Sequence, residues 1–258
     1  MKPTLRPRKL ARTVSRGFTL VELMVAVTIS LLLTLVIAQL FLGSRRTYAT
    51  TDDISRMQEN TRYAQWLLIR NIHLASYKSQ PNSVTGNVFS GVNVALAATD
   101  GAGTASDTLT LRYQGSGNGT GAPDGTILDC LGNRIDAGAM AVNTFSIAVG
   151  ANGSNALFCS TGGAAVEIVP DVVNMQLVFG EDTNADLTAD RYVALPNVSN
   201  LNNVVSVRVA LLFQTPGLAA ATQDIKTYAL NDVVLGPYND LRIRRAVTTT
   251  INLRNRTP

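Results

Sequence analysis

The residues between positions 181 and 190 have the side chains best suited to chemistry. In a calcium-binding loop, oxygen ligands at the first, third, fifth and ninth positions converge on the ion. The side chains at that spacing here are Asp182, Asn184, Asp186 and Asp190. Two positions depart from the pattern, because Leu187 stands where Gly makes the sharp turn and Val193 stands where a Glu supplies two oxygens. We expect either a calcium site on these four residues or an acidic β-hairpin turn.

A single carboxylate, Glu22, stands at the start of a long apolar segment. Residues 23–42 are twenty positions without a charged side chain. At about 1.5 Å per residue, a helix of that length crosses a hydrocarbon core of roughly 30 Å. An ionised side chain in mid-membrane costs on the order of 2.5–3.5 kcal/mol, so an acid there indicates a function. Pairing with an opposite charge would make its burial tolerable.

The positive charge of the chain is concentrated before Gly17. The six basic residues there are Lys2, Arg6, Arg8, Lys9, Arg12 and Arg16. The chain has 22 basic and 18 acidic residues, so without these six it keeps 16 basic residues and a net charge of −2. The net-acidic remainder argues against a nucleic-acid partner. The basic flank predicts a cytoplasmic N-terminus with the rest of the chain on the other side of the membrane.

The N-terminal segment has two simpler interpretations. A secretory signal peptide fits poorly, because its apolar region is usually about 7–15 residues long and ends in a small-residue cleavage site. A plain signal anchor explains the length and the basic flank. It leaves the Gly17–Phe18 junction and Glu22 unexplained.

Cys130 and Cys159 are the two cysteines of the chain, and both lie far beyond the apolar segment. Outside the cytoplasm they are expected to form one disulfide. A bridge that closes a loop of about thirty residues stabilises the fold by roughly 3–4 kcal/mol. The alternative is two buried free thiols. The cysteine count excludes a redox CxxC motif and a four-cysteine zinc site.

No signature of an enzyme site is found in the sequence. His73 is the only histidine, which excludes a multi-histidine metal site. The glycine-rich residues 115–121 lack the lysine and spacing of a phosphate loop and are interpreted as a surface loop. With no nucleophile–base pair or metal cluster, we expect no enzymatic activity and no cofactor other than the calcium considered above. Trp66 and His73 are interpreted as packing or surface residues.

A second helical segment follows the apolar one. No Pro or Gly occurs between residues 45 and 77. Apolar residues recur there mostly at steps of three and four, which predicts one buried stripe. Its members are Ile54, Met57, Ala64, Leu67 or Leu68, Ile72 and Ala75. We expect one long helix that ends before Pro81, with its first half in the membrane and its second half on a globular domain.

Alternating apolar residues predict a series of strands in the remainder. The predicted strand segments are residues 108–113, 145–149, 157–159, 173–179, 205–213 and 247–254. Val173, Met175, Leu177 and Phe179 are expected to share one face, and Val205, Val207, Val209, Leu211 and Phe213 to share another, on the longest strand. Strands that follow a single helix predict an α+β domain with an antiparallel sheet.

Five arginines cluster near the C-terminus. They are Arg242, Arg244, Arg245, Arg254 and Arg256. Such a set binds DNA or an anionic surface in some proteins, and it also contacts acidic neighbouring subunits. More commonly, such charges form the solvated face of an edge strand and discourage aggregation.

Residues 17–23, Gly-Phe-Thr-Leu-Val-Glu-Leu, resemble the class III signal of type IV pilins and type II secretion pseudopilins. The resemblance implies that a prepilin peptidase cuts between Gly17 and Phe18 on the cytoplasmic side. It also implies N-methylation of Phe18, the new terminus. Glu22 would then neutralise the terminal amine of a neighbouring subunit and set the stagger of the filament.

The rest of the chain resembles the PilW family of minor type IV pilins. The segments that carry this resemblance are residues 56–60, 62–64, 75–77, 129–132, 157–159, 180–186, 207–209 and 248–255. The family implies a low-abundance subunit that primes pilus assembly with other minor pilins, the major pilin and a tip adhesin-like protein, with secondary roles in twitching motility and adhesion. PilW proteins share their plan with GspJ, a minor pseudopilin of type II secretion. Two alternatives therefore stay open: a GspJ-like pseudopilin and a DNA-uptake or adhesive pilin.

The expected organisation follows from these segments. Residues 1–17 are a cleaved basic leader, residues 18–78 a long helix whose transmembrane part is about 20–42, and residues 79–258 a β-rich globular domain. The expected fold is that of a type IV pilin, with the helix packed on an antiparallel sheet domain. The expected location is the bacterial inner membrane, with a single pass and a periplasmic body, and then the pilus fibre or its tip.

Overall fold

The computed structural model describes residues 17–79, 89 and 94–255. The predicted leader before Gly17, the predicted helix stop at Pro81 and Arg256 lie outside these residues. The chain forms two compact units, Met1–Tyr48 and Ala49–Pro258. One helix, α1 (Leu20–Leu74), begins in the first unit and ends in the second.

The first unit contains the membrane-length part of α1. Its apolar side chains are exposed, and the helix contains an 18-residue window with a mean hydropathy of 2.6. Its hydroxyls bond to the helix's own carbonyls, with Thr28 Oγ1 donating to Val25 O at 2.9 Å and Ser30 Oγ donating to Ala26 O at 2.7 Å. Thr34 Oγ1 donates to Ser30 O at 2.8 Å. These polar groups therefore need no water, as a hydrocarbon setting requires.

The part of α1 in the second unit buries one face, as the stripe predicts. The buried residues are Met57, Thr61, Ala64, Leu67, Leu68, Asn71 and Ile72. The helix ends at Leu74, a few residues before the predicted end near Tyr77. The cause is Ser76, which takes a left-handed conformation (φ 68°) and donates its N–H to Arg112 O at 3.1 Å.

Eleven strands are described in the second unit, and the larger sheet has five antiparallel strands in the order β1-β2-β3-β4-β5. These are β1 (Leu96–Thr99), β2 (Thr108–Gln114), β3 (Met140–Val149), β4 (Asn155–Ser160) and β5 (Val166–Pro170). The predicted strands at β2, β3 and β4 are confirmed. The short edge strands β1 and β5 have no clear alternation and were not predicted.

The second sheet has four antiparallel strands in the order β11-β8-β6-β7. These are β6 (Val172–Glu181), β7 (Arg191–Val193), β8 (Val204–Gln214) and β11 (Arg244–Asn252), and a small hairpin pairs β9 (Tyr228–Leu230) with β10 (Val233–Leu235). The prediction of an α+β domain with antiparallel strands is confirmed, and the strands form two main sheets where one was expected. A core cluster joins the buried face of α1 to residues from both sheets.

Two irregularities in the β6–β8 ladder correct the predicted faces. The register shifts between Val172 and Asn174 and again between Gly180 and Glu181. Val172 therefore takes the core position that was predicted for Val173, and Val173 packs on the other side of the sheet with the β9–β10 hairpin. Val204 likewise replaces Val205 in the core. Each bulge reverses the alternation locally because side chains repeat with a period of two.

Residues 101–107 cover the edge of β6 that β7 leaves unpaired. Asp107 N donates to Met175 O at 2.9 Å, and Leu177 N donates to the Asp107 carboxylate at 2.7 Å. The Gln176 side-chain amide donates to Ala105 O at 2.7 Å. This loop joins the two sheets edge to edge and satisfies backbone groups that would otherwise form an open edge.

Candidate functional site

The predicted processing segment is an exposed, capped helix start. Thr19 is the residue before α1, and its Oγ1 accepts a hydrogen bond from Glu22 N at 3.3 Å while its carbonyl accepts one from Leu23 N at 3.1 Å. The sequence Thr-Leu-Val-Glu at residues 19–22 has the spacing of a capping box. Phe18 lies just outside the cap and is 79% exposed. The cap gives Glu22 a second physical role, since a carboxylate in the first turn is favoured by the helix dipole.

Glu22 is exposed, and among the described residues no cation pairs with it. Cleavage between Gly17 and Phe18 would place a new amine one residue before the Thr19 cap. Cleavage, methylation and the pairing of Glu22 with a neighbouring amine stay predictions at these residues.

The predicted disulfide is present between Cys130 and Cys159, with Cα atoms 6.5 Å apart. It ties the loop after β2 to strand β4. Asp129 organises that loop: its carboxylate accepts hydrogen bonds from Leu131 N and Asn133 N, both at 2.8 Å, and from Asn133 Nδ2 at 2.9 Å. Both cysteines are buried. The bridge therefore fixes one rigid wall beside α1.

A groove of about 510 Å³ lies between α1, this disulfide loop and strand β5. One wall is formed by Tyr63, Trp66 and Arg70 of α1, and the other by Val166 and Ile168 of β5. Leu67 and the loop residues 129–133 complete its lining. The groove opens beside the outer edge of β5, the last strand in that order, which pairs with no strand other than β4 in the part of the chain that the structure describes.

The helical wall is an aromatic ladder. The rings of Tyr63 and Trp66 stack at 5.8 Å between centroids, and the Arg70 guanidinium lies 5.7 Å from the Trp66 ring. Trp66 is 53% exposed and Tyr63 47%. The sequence predicts Trp66 only as a packing or surface residue. The missed signal is the spacing of three and four residues in Tyr63, Trp66 and Arg70, a second stripe beside the buried one.

The acidic segment folds as a tight turn that binds its own backbone. The Asp182 carboxylate accepts hydrogen bonds from Asn184 N at 3.1 Å, Ala185 N at 2.7 Å and Leu187 N at 2.8 Å. Leu187, which stands where a calcium loop has Gly, takes the left-handed conformation that Gly would supply (φ 67°).

The other predicted calcium ligands also lie in this turn. Asp186 accepts from Thr188 N at 2.8 Å and from the Thr188 hydroxyl, and Asp190 accepts from Thr183 N at 2.7 Å. Asn184 Nδ2 donates to Asp186 at 3.1 Å. Among the described residues, no group of three or more His, Cys, Asp or Glu side chains is arranged to hold a metal. The contacts favour the turn interpretation, and calcium binding stays a prediction.

Glu181, at the start of this segment, is buried and paired. The Arg191 guanidinium donates to Glu181 Oε2 at 2.7 Å, and Asn200 N donates to Oε1 at 3.1 Å. Arg191 holds the pKa of this carboxyl below its usual value despite its burial.

The glycine-rich loop is held by Asp136, which no sequence pattern singled out. The Asp136 carboxylate accepts hydrogen bonds from Gly119 N at 3.1 Å and Gly121 N at 2.9 Å. The Gly121 hydrogen bond is the main reason that the pKa of Asp136 lies below its usual value. These contacts show a surface loop anchored on Asp136.

Two of the C-terminal arginines form contacts within the fold, and two others are exposed. Arg244 is buried, with Nη1 3.1 Å from Asp224 Oδ2 and Nη2 2.6 Å from Asp240 Oδ2. Arg242 Nη1 donates to Thr215 O at 2.8 Å and Pro216 O at 2.9 Å. The expectation of a solvated charged face is therefore wrong for Arg244, whereas Arg245 and Arg254 are exposed. Neither Arg242 nor Arg244 offers a free guanidinium to DNA.

Two protein-family models match parts of the chain. The family model described as Type IV Pilus-assembly protein W matches residues 144–255. The model of the prokaryotic N-terminal methylation motif matches residues 12–38. Together they cover the residues around the start of α1 and the strands from the middle of β3 through β11. No curated protein matches the chain.

Among solved structures, the chain is similar to a type IV-like pilin from Thermus thermophilus. The two are 14% identical, with a TM-score of 0.48. The similarity covers 79% of this chain and 98% of that one.

Proposed function

We propose that the chain is a PilW-like type IV pilin and, more specifically, a minor pilin that primes the assembly of a type IV pilus. The observation that carries the proposal is the junction at residues 17–22. There, the matched methylation motif meets a capped helix whose apolar side chains are exposed. A helix of this kind needs lipid or other helices around it. Both environments occur in the life of a pilin.

The mechanism has three steps at this junction. The chain is inserted with its N-terminus in the cytoplasm and its body in the periplasm. Prepilin peptidase then cuts between Gly17 and Phe18, which leaves the apolar helix in the mature protein, and Phe18 is methylated. In the growing pilus, Glu22 neutralises the amine of the next subunit, so that only a subunit at the correct stagger avoids an unpaired charge.

The Ala49–Pro258 unit supplies the contacts that distinguish this subunit from others. We propose that it joins other minor pilins, the major pilin and a tip adhesin-like protein in the pilus fibre or at its tip, and that it supports twitching motility and adhesion through assembly. The matched family description names a pilus-assembly protein, which favours the pilus over the type II secretion alternative. The DNA-uptake alternative has little support, because Arg242 and Arg244 bond within the fold.

The proposal is tested by processing and assembly in cells that express the full chain. Replacing Gly17→Val should leave the leader attached, as measured by the mass of the purified protein, whereas Ser15→Val in the leader serves as the matched control and should be cut normally. Replacing Glu22→Gln should leave cleavage intact and abolish incorporation into sheared pili. Normal cleavage of the Gly17 variant, or normal incorporation of the Glu22 variant, would contradict the proposal.

A further inference from the structure

We propose that the groove between α1 and β5 binds an extended segment of a partner protein, which pairs with the free edge of β5 and places an apolar side chain against Trp66 and a carboxylate at Arg70. This ligand class is defined by three features of the groove. They are the strand edge, the aromatic ladder and the guanidinium of Arg70, which forms no ion pair with the other residues that the structure describes. The inference concerns the body of the protein and does not depend on the role of Glu22.

The strand edge selects an extended backbone. β5 pairs with β4 on one side and is the terminal strand of its sheet. At the end of β5, Asn60 Nδ2 of α1 donates to Pro170 O at 3.3 Å, so the helix closes the groove there. Before that closed end, the outer edge of β5 presents backbone donors and acceptors that an added strand satisfies.

The side chains of β5 are also suited to the addition of a strand. Val166 is 47% exposed and lines the groove. A register shift opposite Leu157 and Phe158 leaves Ile168 without a partner in β4, and Ile168 lines the groove as well. The Glu167 carboxylate, which could repel a strand, is turned away and accepts a hydrogen bond from Ala151 N at 2.8 Å. The edge therefore carries apolar side chains toward the groove and keeps its acid out of it.

The aromatic ladder selects an apolar side chain on the ligand. Trp66 and Tyr63 stack on each other and take no part in the main core cluster. Exposed aromatic residues in a concave site are the typical energetic centres of protein interfaces, together with Arg. The volume of about 510 Å³ fits a few extended residues and is too small for a helix or a domain.

The charge of the groove selects an acid. Among the described residues, Arg70 forms no ion pair, and its guanidinium lies over the Trp66 ring. Asp129 is the acidic residue in the lining, and its oxygens are occupied by Leu131 N and Asn133. The available charge is thus positive, and a carboxylate on the ligand would form the bidentate contact that Arg favours.

The inference is tested with the full chain in detergent micelles and a phage-displayed library of random octapeptides without Trp. The chain has one tryptophan, Trp66, so its fluorescence reports directly on the groove. We expect selection of peptides with alternating apolar residues and an Asp or Glu. The selected peptides, once synthesised, should shift Trp66 emission to shorter wavelength in a saturable manner. No enrichment over empty micelles would overturn the proposal.

Two backbone-methylated analogues of the best peptide test strand addition itself. Methylating one set of alternate amides should weaken binding at least tenfold, because those N–H groups pair with β5, whereas methylating the other set should change it little. Equal affinity of the two analogues would overturn strand pairing. A Trp66 shift that depends on protein concentration without peptide would instead identify a second copy as the occupant, and would also overturn the proposal.

The charge is tested with matched arginine variants. Arg70→Gln should weaken binding of the acidic peptide about tenfold, consistent with the loss of one charge-assisted contact. It should not change the binding of a control peptide in which Gln replaces the acidic residue. Arg62→Gln is the control, since Arg62 is exposed on the same helix and does not line the groove. Equal effects of the two variants would exclude the specific role of Arg70.

Discussion

Asn143 Nδ2 donates a hydrogen bond to the hydroxyl of Tyr113 at 2.6 Å, in the middle of the folded body. The Tyr113 hydroxyl lies 3.0 Å from Asn71 Oδ1 of α1 and 2.9 Å from Leu128 O. Asn143 Oδ1 in turn accepts a hydrogen bond from Cys130 N at 3.1 Å. A single buried polar network thus joins the helix, strands β2 and β3, and the loop of the disulfide. Burial raises the pKa of Tyr113, so the hydroxyl stays neutral.

Removing the Tyr113 hydroxyl should destabilise the body. Tyr113→Phe removes the acceptor of Asn143 Nδ2 and the donor to Leu128 O, whereas Asn71 Oδ1 keeps its hydrogen bond from Asn143 Nδ2 at 3.1 Å. The lost contacts should cost about 1–3 kcal/mol in the free energy of unfolding. The loss of unfolding free energy is measured by urea unfolding of the full chain in micelles, with Trp66 fluorescence as the probe. Tyr48→Phe, at an exposed position, is the control and should change the stability little. A loss no larger than that of the control would show that the network is dispensable.

Replacing Arg244→Met should cost about 3–5 kcal/mol, because it leaves the carboxylates of Asp224 and Asp240 without their cation. Arg244 also lies 3.8 Å from the Tyr238 ring and donates to Gln214 Oε1 at 3.1 Å. The neighbouring Arg245 is exposed, so Arg245→Met should have almost no effect. The same urea measurement compares the two, and similar losses for both would contradict the buried ion-pair description.

The stability of the join between the two sheets should depend on pH through Asp107. Burial raises the pKa of Asp107 to about 6, despite hydrogen bonds from Gly101 N and Leu177 N that favour the charged form. Because the pKa is higher in the folded state, the folded protein binds this proton more tightly, and the contribution of Asp107 to stability rises as the pH falls from about 7 to about 4.

An Asp107→Asn variant isolates this effect, since it lacks the titration. The unfolding free energy of the natural chain minus that of the variant should therefore become more positive on acidification over this range, by on the order of 1–3 kcal/mol. Unfolding curves at several pH values give the difference, in which the titrations of other groups largely cancel. A difference that stays constant, or shrinks on acidification, would refute the assignment.

Loss of the disulfide should lower stability by roughly 3–4 kcal/mol, through the greater freedom of the unfolded chain. The double replacement Cys130→Ser and Cys159→Ser tests this by thermal unfolding. Reductant should lower the melting temperature of the natural chain toward that of the double variant, and should leave the variant unchanged. A variant as stable as the oxidised chain would show that the hydrogen bonds of Asp129 and Asn143 hold the loop without the bridge.

Substitution of Asp182 distinguishes the two interpretations of the acidic segment, a calcium site and a turn held by its own hydrogen bonds. Asp182→Ala removes the acceptor of three backbone N–H groups and should cost about 1–3 kcal/mol. Because these contacts already occupy the carboxylate, we expect the same loss in millimolar calcium and in chelator. A stabilisation of the natural chain by calcium that the variant lacks would establish the metal site instead.

The sequence was informative wherever one physical pattern acted alone. The uninterrupted apolar segment predicted the membrane-length part of α1, and strict alternation predicted β2, β8 and β11. It misassigned Val173 and Val205, because a bulge adds one residue to the ladder and no residue type marks it here. The stripe also omitted Thr61 and Asn71, polar residues that are buried on the same helical face because they find hydrogen-bond partners there.

The site residues were predictable to different degrees. Glu22 stood out because a charge beside an apolar segment is costly. The buried roles of Arg244 and Asp107 could not be recognised, since each depends on a partner distant in the chain, Asp224 for Arg244 and Leu177 for Asp107. Trp66 could have been paired with Tyr63 and Arg70 by spacing alone, but the groove also needs β5 and the disulfide loop, which only the fold brings near.

The hydroxyls of Thr28, Ser30 and Thr34 bond to carbonyls of their own helix. A helix built in this way is portable. It makes the same polar contacts whether lipid tails or other helices surround it, so leaving a bilayer breaks no hydrogen bond within this segment. The free-energy difference between the two surroundings is then concentrated at one position, Glu22, whose charge distinguishes a place with a nearby amine from a place without one.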